Sequence, residues 1–172
     1  MSLASELERV YDAHASALYA FLLSLTRSES DTRDLLQELF VRLARRPTLL
    51  DGVADERHFL IRLAHNLAVD LVRRRATREQ RHERYAADHV ELFAPETDLD
   101  RGIFARELSE ALGELPAEQR AVMHLKLWGG MTFEAIAEAL EIPPNTAASR
   151  YRYGLDKLRE RLRPFYDELQ QA

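Results

Sequence analysis

The sequence predicts an all-α protein of two small helical domains joined by an acidic linker. Leu, Ala, Arg and Glu dominate the 172 residues, whereas glycine and proline occur only six times each, which leaves little material for a sheet. Apolar residues recur at helical spacing in separate segments. Residues 86–101 lie between these segments and hold five acidic residues without clear periodicity. We therefore expect an N-terminal domain over residues 1–85, a linker over 86–101 and a C-terminal domain over 102–172.

The N-terminal domain is predicted to contain three helices. The first carries apolar residues at helical spacing as far as Leu25. The second, over residues 32–46, is expected to end at Pro47, because proline cannot continue the hydrogen-bond ladder. After a loop over 47–56, a long third helix is predicted over 57–84. Its arginine-rich end loses the apolar stripe and is therefore expected to project from the domain.

The C-terminal domain is predicted to contain a helix-turn-helix, the arrangement that places a helix in the DNA major groove. Thr132 can cap a short amphipathic helix. Pro143 and Pro144 then enforce a break, and Asn145 or Thr146 is expected to cap the longer helix that follows.

The longer helix has two different faces. One face is apolar, and the opposite face carries side chains that can bond base edges or phosphates, namely Thr146, Ser149, Arg150 and Tyr153, with Arg152 at its flank. Asp156 and Glu160 follow on the same face and would repel phosphates, so only the first turns are expected to enter the groove. An ordinary helical hairpin with a solvated basic face shares this periodicity. The cap, the break and the polar first turns together favour DNA reading.

Charge is strongly segregated along the chain, although the net charge is −5. Residues 57–84 hold eight arginines against three acidic residues, and residues 145–163 hold six basic against two acidic residues. Phosphate binding depends on the local field rather than on the total charge. The sequence therefore predicts contact with nucleic acid at two places.

The basic segment of the third helix combines an aromatic ring, an amide and arginines on the face opposite its leucines. The residues are Phe59, Arg62, Asn66, Arg73 and Arg74. Bases of locally opened DNA can stack on the ring or on a guanidinium, while the amide bonds a base edge and the arginines hold the backbone. The alternative is a solvated arginine face with the aromatic ring folded under the preceding loop.

The second helix exposes a compact patch of acids and an amide. Asp34, Gln37 and Glu38 share one side of this helix with Val41. Such a patch can dock a basic protein surface, and it can equally be plain solvent face.

Several function classes are disfavoured by the sequence. The chain has no cysteine, which removes disulfides and thiolate metal sites. Its six histidines lack metalloprotease spacing, and no nucleophile elbow or phosphate-cradling loop is present, so we expect no catalysis, no metal and no cofactor. No apolar run approaches the roughly 20 residues of a membrane span, and the acidic N-terminus has no signal-peptide core. We expect a cytoplasmic protein without membrane insertion.

Four segments in this order resemble bacterial RNA polymerase sigma factors of the sigma-70 family, in particular the extracytoplasmic-function (ECF) group. They are DTRDLLQELFVRLARR, FLIRLAHNLAVDLVRRRATR, LGELPAEQR and MTFEAIAEALEIPPNTAASRYRYGLDKLRERL. The resemblance covers about residues 6–163, with the linker unmatched. It implies promoter DNA and core RNA polymerase as partners, the polymerase being bound through its β′ clamp helices and β flap. Members of this group are often held inactive by an anti-sigma factor.

The resemblance also implies residue roles. Asp34, Gln37 and Glu38 fall where the family grips the clamp helices, and the loop over 47–56 where it captures a flipped base of the −10 element. The −10 contacts would be Phe59, Arg62, Asn66, Arg73 and Arg74, on the helix that holds the strands apart. The −35 contacts would be Arg120 on phosphate and Thr146, Ser149, Arg150, Arg152 and Tyr153 on the recognition helix. The linker would thread near the polymerase active centre.

The sequence departs from the family pattern in three respects. Phe59 stands where the family commonly has tryptophan, so the stacking area is smaller. Ala148 and Tyr153 occupy recognition-helix positions that are often basic, which indicates an unusual −35 sequence. Ala135 replaces the usual acid of the capping box and leaves Thr132 to cap alone.

Two alternative functions are a stand-alone helix-turn-helix regulator and a helical interaction protein without DNA binding. The first leaves the N-terminal motifs unexplained, and the second leaves the basic segments unexplained.

Overall fold

A computed structural model describes residues 3–79 and 99–171. Within these ranges the chain forms seven α-helices and one 3-10 turn, Pro47–Leu50, and no strand, which confirms the all-α prediction. The helices are α1 (Leu3–Thr26), α2 (Glu29–Arg45), α3 (Glu56–Glu79), α4 (Leu99–Glu114), α5 (Ala117–Leu127), α6 (Phe133–Leu140) and α7 (Pro144–Gln171). No helix in this part of the chain combines the length and the apolar character that a membrane span needs.

The helix ends follow local capping chemistry. Helix α2 begins three residues earlier than predicted, because the Ser28 hydroxyl accepts a hydrogen bond from the Asp31 N–H at 3.4 Å. It ends at Arg45, just before Pro47, as predicted. The predicted end of α3 at residue 84 and most of the predicted linker lie outside the described residues. The last part of the linker range is helical, since α4 begins at Leu99.

The helix-turn-helix is present, with one cap placed differently from the prediction. Thr132 caps α6 as predicted, and its hydroxyl accepts from the Ala135 N–H at 3.1 Å. The prediction that Asn145 or Thr146 caps α7 is wrong. Helix α7 begins at Pro144, and the Thr146 N–H already bonds the Pro143 carbonyl at 2.9 Å. Proline suits the first helical position because its φ is preset and no N–H is required there.

The turn between α6 and α7 depends on an unusual backbone conformation. Glu141 closes α6 in the left-handed region at φ +56° and ψ +44°, a position that glycine usually fills. Its backbone N–H caps the end of α6. The Glu141 side chain is therefore exposed at the corner of the helix-turn-helix.

One continuous apolar core joins the N-terminal helices α1–α3 to the C-terminal helices α5–α7. Phe21 and Leu60 belong to the same buried cluster as Val122, Ile136 and Ala147. A second, smaller cluster lies within the C-terminal helices and holds Ala111, Leu112, Leu115, Met123 and Leu158. Helix α5 supplies residues to both clusters and is therefore buried on two sides. This packing brings α5 against α1, and α6 against α3.

Candidate nucleic-acid interface

The exposed side of α3 carries the predicted stacking group. Phe59 is half-buried against the core, so it is neither the free ring of the first interpretation nor a fully buried one. The guanidinium carbon of Arg62 lies 5.6 Å from the centre of this ring. A cation at this distance is attracted by the ring face. The ring and the guanidinium thus form one surface on which a base can stack.

The other predicted α3 residues continue this surface towards the C-terminal end of the helix. Asn66 is exposed, two helical turns beyond Phe59. Arg73 and Arg74 are exposed as well. Arg75 instead pairs with Asp31 of α2 at 2.6 Å, an ion pair that ties this part of α3 to the rest of the N-terminal helices.

The first turns of α7 carry the predicted recognition residues. Thr146, Ser149 and Arg150 are half-buried. The Ser149 hydroxyl donates to the Asn145 carbonyl at 2.8 Å, a bond within the helix that a base could replace. Arg152 and Tyr153 are exposed, and the guanidinium carbon of Arg152 lies 5.4 Å from the Tyr153 ring centre.

The two predicted DNA surfaces lie beside each other. Arg62 of α3 pairs with Glu141 at the corner of the helix-turn-helix, with 3.8 Å between nitrogen and oxygen. Burial lowers the pKa of His65 on α3, and the positive charge of Arg150 on α7 lowers it further. Arg57, at the start of α3, donates to the Gly129 carbonyl after α5 at 2.7 Å. The structure therefore brings together residues that the sequence places on opposite sides of the linker.

Arg120 does not face solvent in this arrangement. It is only 8% exposed, and it donates to the Ser24 carbonyl at 2.5 Å and the Leu25 carbonyl at 3.1 Å. It also donates to the carbonyls of Gly113 and Leu115 at 3.0 and 2.8 Å. These carbonyls lie at the C-terminal ends of α1 and α4, where helices leave carbonyl groups unpaired and carry partial negative charge.

The charge of Arg120 is thus held by helix ends rather than by an acid. Burial lowers its pKa to about 10, and the nearby charge of Arg27 lowers it in the same direction. The predicted phosphate contact of Arg120 requires that α1 move away from α5. In the packed arrangement this residue joins the N-terminal to the C-terminal helices.

The predicted docking patch on α2 is exposed throughout. Asp34, Gln37 and Glu38 all face solvent, and Glu38 pairs with Arg42 one turn further along the helix. The neighbouring Val41 is exposed too. The exposure of this patch is compatible with a surface that receives another protein.

His124 of α5 lies where the two groups of helices meet. Its ring centre is 5.7 Å from that of Phe21 and 5.5 Å from that of Trp128. Burial lowers its pKa to about 4, so the imidazole is neutral at neutral pH. A charged imidazolium would be placed among apolar side chains.

Sequence reasoning missed the residues that join the two groups of helices. Arg57, Glu141 and Arg27 were given no role, and Arg120 was given only a DNA role. One signal was available. Helix α5 contains the segment AVMHL, which is apolar on more than one side, and such a helix is buried on two faces.

Comparison with known families agrees with the two groups of helices. Residues 10–78 match the model of sigma-70 region 2, and residues 105–158 match that of sigma-70 region 4. The first match covers most of α1–α3, and the second begins in α4 and ends within α7.

Individual relatives match over nearly the whole chain. The ECF RNA polymerase sigma factor SigX of Bacillus subtilis is 26% identical over 93% of this chain and 85% of its own length. SigE of Mycolicibacterium smegmatis, also an ECF sigma factor, is 31% identical over 92% of this chain and 62% of its own length. A solved structure of the sigma factor RpoE of Bartonella quintana, in complex with the anti-sigma factor NepR, superposes with a TM-score of 0.75 at 22% identity. This match spans 93% of this chain and 96% of the matched chain, and it shows a shared fold.

Replacing Arg120 should destabilise the protein strongly. Arg120→Met keeps a similar apolar stem but leaves the four carbonyls at the ends of α1 and α4 without their donor. We expect the free energy of unfolding in urea to fall by about 3 kcal/mol. Arg33→Met, at an exposed position of α2, serves as the matched control and should change it by less than about 0.5 kcal/mol. Equal effects of the two substitutions would contradict the role assigned to Arg120.

Acidification should destabilise the protein through His124. Its pKa is about 4 in the folded chain against an ordinary value of 6.5, so between these pH values the unfolded chain binds a proton that the folded chain does not. The stabilisation is complete above pH 6.5 and is lost as the pH falls towards 4. This group should lower the free energy of unfolding by about 2 kcal/mol between pH 7 and pH 5. In urea titrations at both pH values, His124→Phe should lose correspondingly less stability than the parent chain. If His124→Phe loses as much free energy of unfolding between pH 7 and pH 5 as the parent chain does, the pH dependence does not come from His124.

Proposed function

Since this chain belongs to the sigma-70 family of bacterial RNA polymerase sigma factors, in its ECF group, we propose that it binds core RNA polymerase and opens the promoters that it recognises. The observation that most supports this function is the pair of DNA-compatible faces, one on α3 and one on α7, within the two matched sigma regions. A stand-alone helix-turn-helix regulator would need no counterpart of region 2, and it is not favoured.

The two matched regions support a division of labour along the chain. The part that matches region 2, residues 10–78, binds core polymerase and the −10 element, and the part that matches region 4, residues 105–158, binds the −35 element. The segment between the two matched parts passes near the polymerase active centre. The protein acts in the cytoplasm, where the polymerase is, and it has no catalytic activity of its own.

At the −10 element, α3 is proposed to hold the separated strands. A base stacks on the surface formed by Phe59 and Arg62, and Asn66 bonds a base edge. Arg73 and Arg74 hold the phosphates beyond it. Unstacking a base costs a few kcal/mol, which these contacts offset only when the polymerase holds the DNA in place.

At the −35 element, the first turns of α7 are proposed to enter the major groove. Arg150 and Arg152 suit guanine, whose two acceptors a guanidinium can bond together, and Tyr153 and Thr146 contact neighbouring groups. The segment beyond Tyr153 stays out of the groove, since Asp156 is exposed on this side and would repel phosphate.

The packed arrangement cannot serve both elements at once. The names of the elements place them about 25 base pairs apart, which is roughly 85 Å of duplex at about 3.4 Å per base pair. Arg150 of α7 instead lies close enough to His65 of α3 to lower its pKa. Glu141 also pairs with Arg62, which is proposed to contact a base of the −10 element. We therefore propose that the chain opens between α1–α3 and α4–α7 when it joins the polymerase.

An anti-sigma factor is a further proposed partner. The RpoE chain that shares this fold was solved in complex with the anti-sigma factor NepR. A partner that binds both groups of helices would hold the packed arrangement and keep the promoter surfaces covered. Since the chain has no cysteine, a thiol-based redox signal would have to be sensed by that partner.

Promoter-specific transcription tests the function. Core polymerase is incubated with a genomic promoter library, with and without the chain, and the transcripts are sequenced. We expect new transcripts that share −10 and −35 elements, whereas the isolated chain should bind the same promoters weakly. Arg150→Ala should lower transcription about tenfold and relax the −35 preference, because it removes one base contact.

Two further variants test whether the patch on α2 is needed for capture of core polymerase. Glu38→Lys reverses a charge of the docking patch and should reduce both transcription and capture of core polymerase. Arg159→Ala, on an exposed part of α7 beyond the proposed groove contacts, is the matched control and should behave like the parent chain. If the chain neither captures core polymerase nor yields promoter-specific transcripts, the proposed function is wrong.

The opening of the chain can be measured by energy transfer between two dyes. The chain has no cysteine, so Ser30→Cys on α2 and Arg159→Cys on α7 supply unique attachment sites at exposed positions. The dyes should lie close together in the isolated chain and move apart in the promoter complex with polymerase. Glu141→Gln should increase the open fraction of the isolated chain severalfold, because it removes the pair with Arg62, whereas Glu160→Gln should not. An unchanged short distance in the promoter complex would rule out opening.

A further inference from the structure

A cavity of about 270 Å³ lies where the N-terminal and C-terminal helices meet. Helices α1 and α3 form one wall, and helix α5 together with the end of α4 forms the other. The main apolar lining residues are Leu18, Phe21, Leu60, Leu112, Leu125 and Trp128. Apolar, concave sites of this kind are where proteins bind small molecules.

The charged groups around the cavity are mostly positive. Arg57 and Arg120 line it, and no acidic residue among those that the structure describes does. The guanidinium of Arg120 donates hydrogen bonds to carbonyls at helix ends, so it is not available to a ligand. Arg57 is different, because it is exposed and donates to a backbone carbonyl, that of Gly129, through one of its nitrogens.

The nearest acid does not cancel this charge. Glu56 accepts from Arg9 at 2.6 Å and contacts His14 at 2.7 Å, and the hydrogen bond from Arg9 holds the pKa of Glu56 below its ordinary value. Its carboxylate is therefore already engaged by Arg9 and His14. A ligand that carries a negative group at the Arg57 side meets an available cation, whereas a ligand amine would be repelled.

The cavity volume limits the size of a ligand. A cavity of roughly 150 Å³ holds benzene, which has six heavy atoms. By proportion, a cavity of about 270 Å³ accommodates about ten or eleven heavy atoms. One ring with a short side chain, or a short branched chain, is of this size.

We propose that this cavity binds a small, mainly apolar carboxylic acid, with the apolar part between α1, α3 and α5 and the carboxylate against the Arg57 guanidinium. Because both groups of helices form its walls, such a ligand makes its full set of contacts only in the packed arrangement. It therefore shifts the chain towards that arrangement and away from the open one. The regulatory consequence rests on the proposed function, since it requires that the open chain be the one that reads promoters.

Binding can be followed directly on the isolated chain. Trp128 is the only tryptophan and lines the cavity, so its fluorescence reports on occupancy. Phenylacetate, phenylacetamide and 2-phenylethylamine are probes of nearly equal size that carry a negative, a neutral and a positive group. We expect phenylacetate to bind about tenfold more tightly than phenylacetamide, and 2-phenylethylamine to bind least well.

Two variants assign the contacts. Arg57→Gln should weaken phenylacetate about tenfold and leave phenylacetamide within about twofold, because only the carboxylate uses the charge. Ala17→Leu places a larger side chain on the cavity wall and should weaken both probes. Arg33→Gln, at an exposed position of α2 away from the cavity, is the matched control and should change neither.

The outcomes separate the ligand site from the proposed function. Equal binding of phenylacetate and phenylacetamide, or an Arg57→Gln variant that binds phenylacetate normally, overturns acid recognition. A Trp128 signal that no probe alters overturns the site itself. If phenylacetate binds but does not shorten the distance between dyes at positions 30 and 159, the coupling to the packed arrangement is wrong. Promoter-specific transcription measured without any probe tests the proposed function by itself, whatever the binding results.

Discussion

Arg120 carries a positive charge into the interior, where it meets the C-terminal ends of α1 and α4 instead of a carboxylate. Unpaired carbonyls at helix ends are both hydrogen-bond acceptors and the negative pole of the helix dipole, so they suit a buried guanidinium in two ways. The remaining packing depends on this junction. With α1 and α4 fixed to α5, the apolar faces of α5 and α6 close onto the N-terminal helices, and α3 lies along the helix-turn-helix.

The same guanidinium has a different partner in each of the two proposed states. Helix-end carbonyls surround Arg120 in the packed chain, and family resemblance assigns it a phosphate in the promoter complex. Arg62 shows the same alternation, with Glu141 in the packed chain and DNA in the open one. Each of these two cations therefore has a partner in both proposed states, and opening at the promoter leaves neither guanidinium unpaired. The difference in free energy between the states is therefore smaller than the number of contacts suggests.

The sequence predicted local structure well because caps and breakers act over a few residues. On this basis the cap at Thr132 and the end of α2 before Pro47 were predicted correctly. The start of α7 was predicted too late, because Pro144 was taken only as part of the break, whereas it is the first residue of the helix. The exposed faces of α2, α3 and α7 followed from periodicity. What the sequence could not provide was the contact between distant segments, such as Arg62 with Glu141 or Arg57 with Gly129. Surface pairs of this kind leave no periodic pattern, and many geometries would satisfy the same residues.

At position 141, the left-handed backbone and the ion pair with Arg62 favour different residues. Glycine would adopt this backbone with less strain and would make a better helix end, at a gain of up to roughly 1 kcal/mol for the turn. Glycine has no carboxylate, however, and would release Arg62. A more stable turn and the ion pair with Arg62 therefore require different residues at position 141. Under the proposed opening, variants that acquire glycine there are expected to fold well and to open more readily, a class of gain-of-function change that stability screens alone would score as beneficial.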